Sequence, residues 1–134
     1  MVSDRVGDFI IRLQNGSRIG KETVSVPYSG HILSIATKLK DLGFLSSVEV
    51  VARGGSEVRK NIVAALAYDP KGVAKLRGVK RISKPGRRLY VTHTDAHGVK
   101  GGTGARVISS SFGILTDREA RKKKVGGEDL FEIW

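Results

Sequence analysis

Apolar positions along this chain change their period several times, and each change marks an element. Val6, Phe9, Ile10 and Leu13 recur at i, i+3, i+4 and i+7, which predicts a helix capped by Ser3 and stopped by Asn15-Gly16. Thr23-Val24-Ser25-Val26 alternates as a short strand, because successive strand side chains point to opposite faces. Ser29 opens a second helix with Ile32, Ile35, Ala36 and Leu39 on one face, ending near Gly43. Two β-rich stretches, 44–52 and 62–68, flank Arg53-Gly54-Gly55-Ser56, which reads as a hairpin loop and completes an α-β-α-β-β order.

The second half reads differently. Short strands are expected at 79–83, 87–92, 105–109 and 130–134, separated by Pro-Gly and Gly-rich breaks. One helix interrupts them: Thr116-Asp117-Arg118-Glu119 is a capping box, and the basic residues 121–124 suit the negative end of the helix dipole. Tyr68-Asp69-Pro70-Lys71-Gly72 is a turn signal between the halves. The expected fold is therefore α+β in two small lobes, an N-terminal α/β lobe over residues 1–68 and a β-rich lobe with one short helix over residues 72–134. Each falls below the ~70 to 80 residues at which one core suffices, so the lobes are expected to pack on each other.

Charge narrows the function. The 134 residues carry 24 Lys plus Arg against 13 Asp plus Glu, a formal charge of +11, with 40% apolar residues, too many for simple disorder. The surplus is uneven: nine basic and six acidic residues precede position 68, and fifteen basic and seven acidic follow. From Lys71 to Arg88 there are eight basic residues and no acidic one. A folded polycation of this kind implies a polyanionic partner. With no cysteine, disulfides, thiolate metal sites and thiol catalysis are excluded, and a reducing cytoplasm fits. The longest apolar run, 62–68, is far short of a bilayer span, and the start MVSDRVGDF carries no signal core, which predicts a soluble protein made where it works, with no membrane partner.

Catalytic patterns are thin. Neither a Walker A loop nor a Gly-x-Ser-x-Gly elbow is present. His93, Asp95 and His97 alternate as zinc ligands on a strand would, but the surrounding THTDAHG lacks apolar alternation and reads better as a solvated loop. Gly101-Gly102-Thr103-Gly104 contains a GxxG spacing without the two flanking helices that a backbone-clamping loop needs, and reads as a flexible turn.

Two stretches carry more. In Lys80-Arg81-Ile82-Ser83-Lys84-Pro85-Gly86-Arg87-Arg88-Leu89-Tyr90, the apolar residues can anchor a hairpin turned by Pro85-Gly86, the cations can reach phosphates, and Tyr90 can pack or stack. In Ser109-Ser110-Ser111-Phe112-Gly113, clustered hydroxyls can donate to and accept from ribose, phosphate and base edges, a discrimination that bare charge cannot make.

The stretch ISSSFGILTDREARKKKVGGEDLFEIW closely resembles the signature of the small-subunit ribosomal protein S-eight family, and KRISKPGRRLY resembles that family's preceding motif. DFIIRLQNG and VSVPYS follow the family's order, so the resemblance covers essentially the whole chain. It implies an α/β lobe and a β-rich lobe, no catalysis and no cofactor. It implies binding to a helix in the central domain of small-subunit ribosomal RNA early in assembly, neighbouring ribosomal proteins including S-five, and, in some bacteria, repression of the protein's own messenger. The resemblance points to the cytoplasmic ribosome, an organelle-encoded origin remaining open.

The RNA-binding residues expected on this basis are Ser109, Ser110, Ser111, Thr116 and Glu128 for reading, Lys84, Arg87, Arg88, Arg12 and Asn15 for holding backbone, and Ser29, Pro85, Gly86, Tyr90, Phe112 and Gly113 beside them. Two positions depart from the family pattern. The usual Ser-Thr-Ser-Lys-Gly is Ser109-Ser110-Ser111-Phe112-Gly113 here, leaving Phe112 to stack on RNA or pack inward, and the usual Ser-Lys at the second helix is Ser29-Gly30. The alternatives are an independent small-RNA binder, against which 6% aromatics argue, and a metal-dependent hydrolase built on His93, Asp95 and His97.

Overall fold

The computed structural model describes residues 4–53, 56–94, 96, 98 and 104–134. The expected cap Ser3, the hairpin residues Gly54 and Gly55, Asp95, His97 and residues 101–103 of the GxxG stretch lie outside these described residues. The elements are α1 (Arg5–Arg18), β1 (Thr23–Pro27), α2 (Gly30–Asp41), β2 (Leu45–Arg53), β3 (Ser56–Leu66), β4 (Val79–Arg81), β5 (Tyr90–Val91), β6 (Ala105–Ser110), β7 (Gly113–Thr116), α3 (Asp117–Lys123) and β8 (Gly127–Ile133). Among the described residues, three helices and two antiparallel sheets make the fold α+β, as the periodicity predicts. Contacts divide the chain into two compact units, Phe9–Arg77, and the residues up to Asp8 with Gly78–Trp134.

In the Phe9–Arg77 unit the sheet runs β1-β3-β2. Val24 opposes Ala64 and Val26 opposes Ile62, and all four are buried, so the alternation read from the sequence faces one side. Phe9, Ile10, Leu13, Ile32, Ile35, Ala36 and Leu39 supply the helical share of the core. Ser29 caps α2 by accepting from the Ile32 N–H at 3.5 Å. The turn at Asp69 is also present: its Oδ1 accepts from the N–H groups of Lys71 at 2.9 Å and Val73 at 2.8 Å.

Helix α1 does not stop at Asn15-Gly16 but continues to Arg18, with Gly20 in the left-handed region at φ 74°. Gly16 has a packing role instead. A Cβ there would stand 3.0 Å from Val24 Cγ2 and 3.3 Å from Leu66 Cδ1, so the glycine lets the helix settle onto β1 and β3. Strand β3 begins at Ser56, six positions before the expected start, because Ser56, Lys60 and Asn61 pair with β2, and Asn61 also with β1, on backbone bonds that periodicity does not reveal.

In the other unit the sheet order is β4-β8-β6-β7, with β5 also on β8. The C-terminus is stitched in by reciprocal bonds: Gly78 N–H donates to the Trp134 carbonyl and Trp134 N–H to that of Gly78, each at 3.0 Å. Gly78 has to be small, since a Cβ would come 2.7 Å from Trp134 Cζ2. The capping box is realised on both sides, with Thr116 Oγ1 accepting from Glu119 N–H at 3.2 Å and Glu119 Oε1 from Thr116 N–H at 3.1 Å. Strand β7, read from the sequence only as part of a turn and helix start, pairs with β6, and β8 begins at Gly127 rather than at position 130.

The expected hairpin over residues 80–90 takes another form. Pro85-Gly86 does sit in a tight turn closed by mutual backbone bonds between Lys84 and Arg87, at 3.0 and 2.9 Å. The flanking strands β4 and β5, however, both pair with β8 and not with each other. Residues 79–91 thus follow one edge of β8, and residues 84–88 bulge out from it.

Candidate nucleic-acid interface

Register brings the two informative stretches together at one end of this sheet. Tyr90 on β5 and Ser109 on β6 both oppose Glu128 on β8, and Ser109 also opposes Ile114 on β7. Directly opposed residues share a face, so Tyr90, Glu128 and Ser109 form one cross-strand row. Beyond the row, β6 turns into β7 through Ser111-Phe112. Ser110 opposes Gly113; its hydroxyl donates to the Gly113 carbonyl at 2.9 Å and accepts from the Phe112 N–H at 3.1 Å. Gly113 holds φ 102°, a conformation that the side chain of another residue would strain. Ser111, Phe112 and Gly113 are exposed, and Phe112 is 68% exposed and Tyr90 72%.

The basic turn stands on the same row. Lys84, Pro85, Gly86, Arg87 and Arg88 are all exposed. Arg88 Nη1 donates to Glu128 Oε2 at 3.0 Å, which ties one cation of the turn to the middle of the row. Lys84 and Arg87 project with no ion pair seen among the described residues. A side chain absent from the sequence-based expectation joins them: Ser83, 1% exposed, donates its hydroxyl to Glu128 Oε2 at 2.5 Å and accepts from Leu89 N–H at 3.2 Å. Further back, Arg81 pairs with Asp4, whose other oxygen accepts from Gly7 N–H at 3.0 Å in the manner of a helix cap. That hydrogen bond from Arg81 holds the Asp4 carboxyl below the usual aspartate range despite the opposing effect of burial.

The hydroxyl expected to read RNA at Thr116 is placed elsewhere: Thr116 is buried and caps α3. Behind the site, Arg106 bridges Asp129 and Glu132 across β6 and β8. Burial pushes the Asp129 carboxyl up, against the pull of Arg106.

Arg12, Asn15 and Ser29 belong to the Phe9–Arg77 unit. Arg12 and Asn15 line an open cleft of about 470 Å³ with Lys21, Thr23 and Ser25, and Arg12 Nη1 donates to the Ser25 carbonyl at 2.9 Å. Ser29 caps α2 and is half-buried. The cleft offers two cations and several hydroxyl and amide groups, a lining suited to a phosphate chain.

Comparison with known proteins agrees with the residues. Residues 4–134 match the family described as Ribosomal protein S8. The chain is 41% identical over 134 residues to the small ribosomal subunit protein uS8 of Syntrophomonas wolfei, covering all of this chain and 99% of that protein. It is 40% identical over 133 residues to the protein of the same name from Nocardioides, covering 99% and 98%. The chain belongs to the ribosomal protein S8 family. S8 proteins are structural and not enzymatic, so a hydrolase at His93, Asp95 and His97 is set aside.

Within the S8 family pattern, the two departures have simple structural consequences. Phe112, at the usual lysine position, points out of the sheet end and does not pack inward. Gly30, at the other usual lysine position, leaves open space where a Cβ would be, so α2 begins without a side-chain cation. Gly126 and Gly127, also missed from sequence, matter for this S8 chain because a Cβ on either would strike backbone, at Val91 and at Ser109 respectively. A doubled glycine before an acidic residue at a strand start was the available signal.

Proposed function

We propose that this chain, as a structural component of the small ribosomal subunit, binds the central domain of small-subunit ribosomal RNA through the β-rich lobe and helps nucleate that domain's assembly. What carries the reading is the row Tyr90, Glu128 and Ser109 with the exposed Ser111-Phe112 turn at one end and the Lys84–Arg87 turn at its side. Hydroxyls, a carboxylate and aromatic faces discriminate base edges and sugar, while the cations hold phosphates. Arg12 and Asn15 in the cleft of the other unit add backbone contacts. Its place is the cytoplasmic ribosome, beside neighbouring proteins that include S-five; among the described residues no helix is long and apolar enough to cross a membrane. Where the chain's own messenger folds into a helix of the same shape, the same surface represses its translation.

The test is binding of the purified full chain to an RNA fragment carrying the central-domain helix, titrated with salt beside a generic duplex of equal length. Cognate binding should persist at salt that strips the duplex, because hydrogen-bonded contacts are screened less than counterion-releasing ones. Equal salt slopes and equal affinities for both RNAs would overturn shape-selective recognition.

A further inference from the structure

We infer that Ser83 is the positioning residue of the basic turn, its buried hydroxyl closing the base of the bulge at residues 84–88 so that Lys84 and Arg87 are presented together to RNA phosphates; this rests on the function proposed above. Three observations converge on it. The bulge leaves the β8 edge at Ser83, whose N–H donates to the Asp129 carbonyl at 3.0 Å, and returns at Leu89, whose carbonyl accepts from Asp129 N–H at 2.9 Å. Both ends are therefore anchored on one residue of β8. Across that gap a single side-chain atom, Ser83 Oγ, takes the Leu89 N–H at 3.2 Å and donates to Glu128 Oε2 at 2.5 Å. The Ser83 carbonyl in turn accepts from Arg81 Nε at 2.5 Å, so the serine is held from three sides.

The chemistry requires a hydroxyl. Leu89 N–H needs an acceptor and Glu128 Oε2 takes a donor, and a hydroxyl is the smallest group that does both at once. Ser83 itself is 1% exposed, so an alanine there leaves the Leu89 N–H without its acceptor and Glu128 Oε2 without this donor. Without the clamp, the flexible ends of a proline-glycine excursion would have to be ordered on binding, and that entropy would be drawn from the affinity.

The experiment is a double-mutant cycle on the full chain, with the central-domain RNA fragment as probe. Ser83→Ala, which removes both bonds of the hydroxyl, should weaken binding roughly tenfold, and Ser83→Thr should restore most of it. In a Lys84→Ala/Arg87→Ala background the same Ser83→Ala change should cost nothing further, because the two cations that the clamp presents are both gone. A full, additive loss in that background overturns the inference, since a merely structural serine would weaken both backgrounds alike. Hydrogen exchange of the Leu89 amide in the unsubstituted protein decides the matter even if Ser83→Ala does not fold: protection beyond that of the turn tip is expected, and exchange at the rate of an open loop overturns the clamp. Failure of the underlying reading looks different. Lys84→Ala/Arg87→Ala alone would then bind with unchanged affinity and salt slope, a result obtained without touching Ser83 that removes the inference along with its basis.

Discussion

Gly127 lies so close to Ser109 that a Cβ on the glycine would sit inside contact distance of the Ser109 carbonyl oxygen and 3.0 Å from Ile108 Cγ2. The start of β8 is thus pressed against the strand that leads into the serine turn, and the geometry of the RNA-facing end depends on a residue with no side chain.

Gly127→Ala should accordingly push β6 away from β8 at its turn end. The expected cost is about 1 to 3 kcal/mol of stability from overpacking against backbone. Chemical denaturation measures that loss, and RNA affinity of the remaining folded protein should also fall, since Ser109 would leave the row with Glu128 and Tyr90. Unchanged affinity would show that the register of Ser109 does not matter to recognition.

Ser110 and Ser111 should separate by mechanism. The Ser110 hydroxyl closes the turn through Gly113 and Phe112, so Ser110→Ala should lower the unfolding midpoint. Ser111 is exposed beside that bond, and Ser111→Ala should leave the midpoint alone while costing about 1 to 3 kcal/mol in RNA affinity if a buried bond forms there on binding. A lowered midpoint with full affinity for Ser111→Ala would return that residue to a structural role.

The cations of the basic turn should differ among themselves. Lys84→Ala and Arg87→Ala should each reduce the slope of log affinity against log salt by about one contact, for cognate and generic RNA alike. Arg88 is paired with Glu128 at 3.0 Å, so Arg88→Ala should change the slope less and the cognate affinity more, by removing a cationic donor from the carboxylate that Ser83 also holds in the reading row. Identical slopes for all three variants and the unsubstituted chain would mark the turn as a solvated face.

Acid should weaken one specific contact. Asp4 has its carboxyl pKa lowered by the hydrogen bond from Arg81, so its contribution to stability is present above the unfolded-state pKa and is lost as pH falls through the depressed folded value. Asp4→Asn should therefore unfold at a lower temperature than the unsubstituted chain near neutrality, and the two midpoints should converge in strong acid. A gap that stays constant across that range would mean the loss comes from packing and not from charge.

Much of the fold was legible in the sequence because it depends on local periods. The 3.6-residue recurrence of Phe9, Ile10 and Leu13, the capping box at Thr116 and Glu119, and the alternation of Val24 and Val26 each determine an element from within a few residues. The site's composition was legible too, since eight cations within residues 71–88 without an acid and three consecutive serines stand out against any background. What only the tertiary structure decided is pairing. That β4 and β5 both lie on β8, that Tyr90 and Ser109 meet across Glu128, and that Ser83 bridges a bulge are consequences of strand register between residues tens of positions apart. Backbone hydrogen bonds are the same for every side chain, so they leave no trace in composition. Glycines recorded the tertiary structure most faithfully and were hardest to read: Gly16, Gly78 and Gly127 are required by a neighbour's approach, and a missing side chain names no partner.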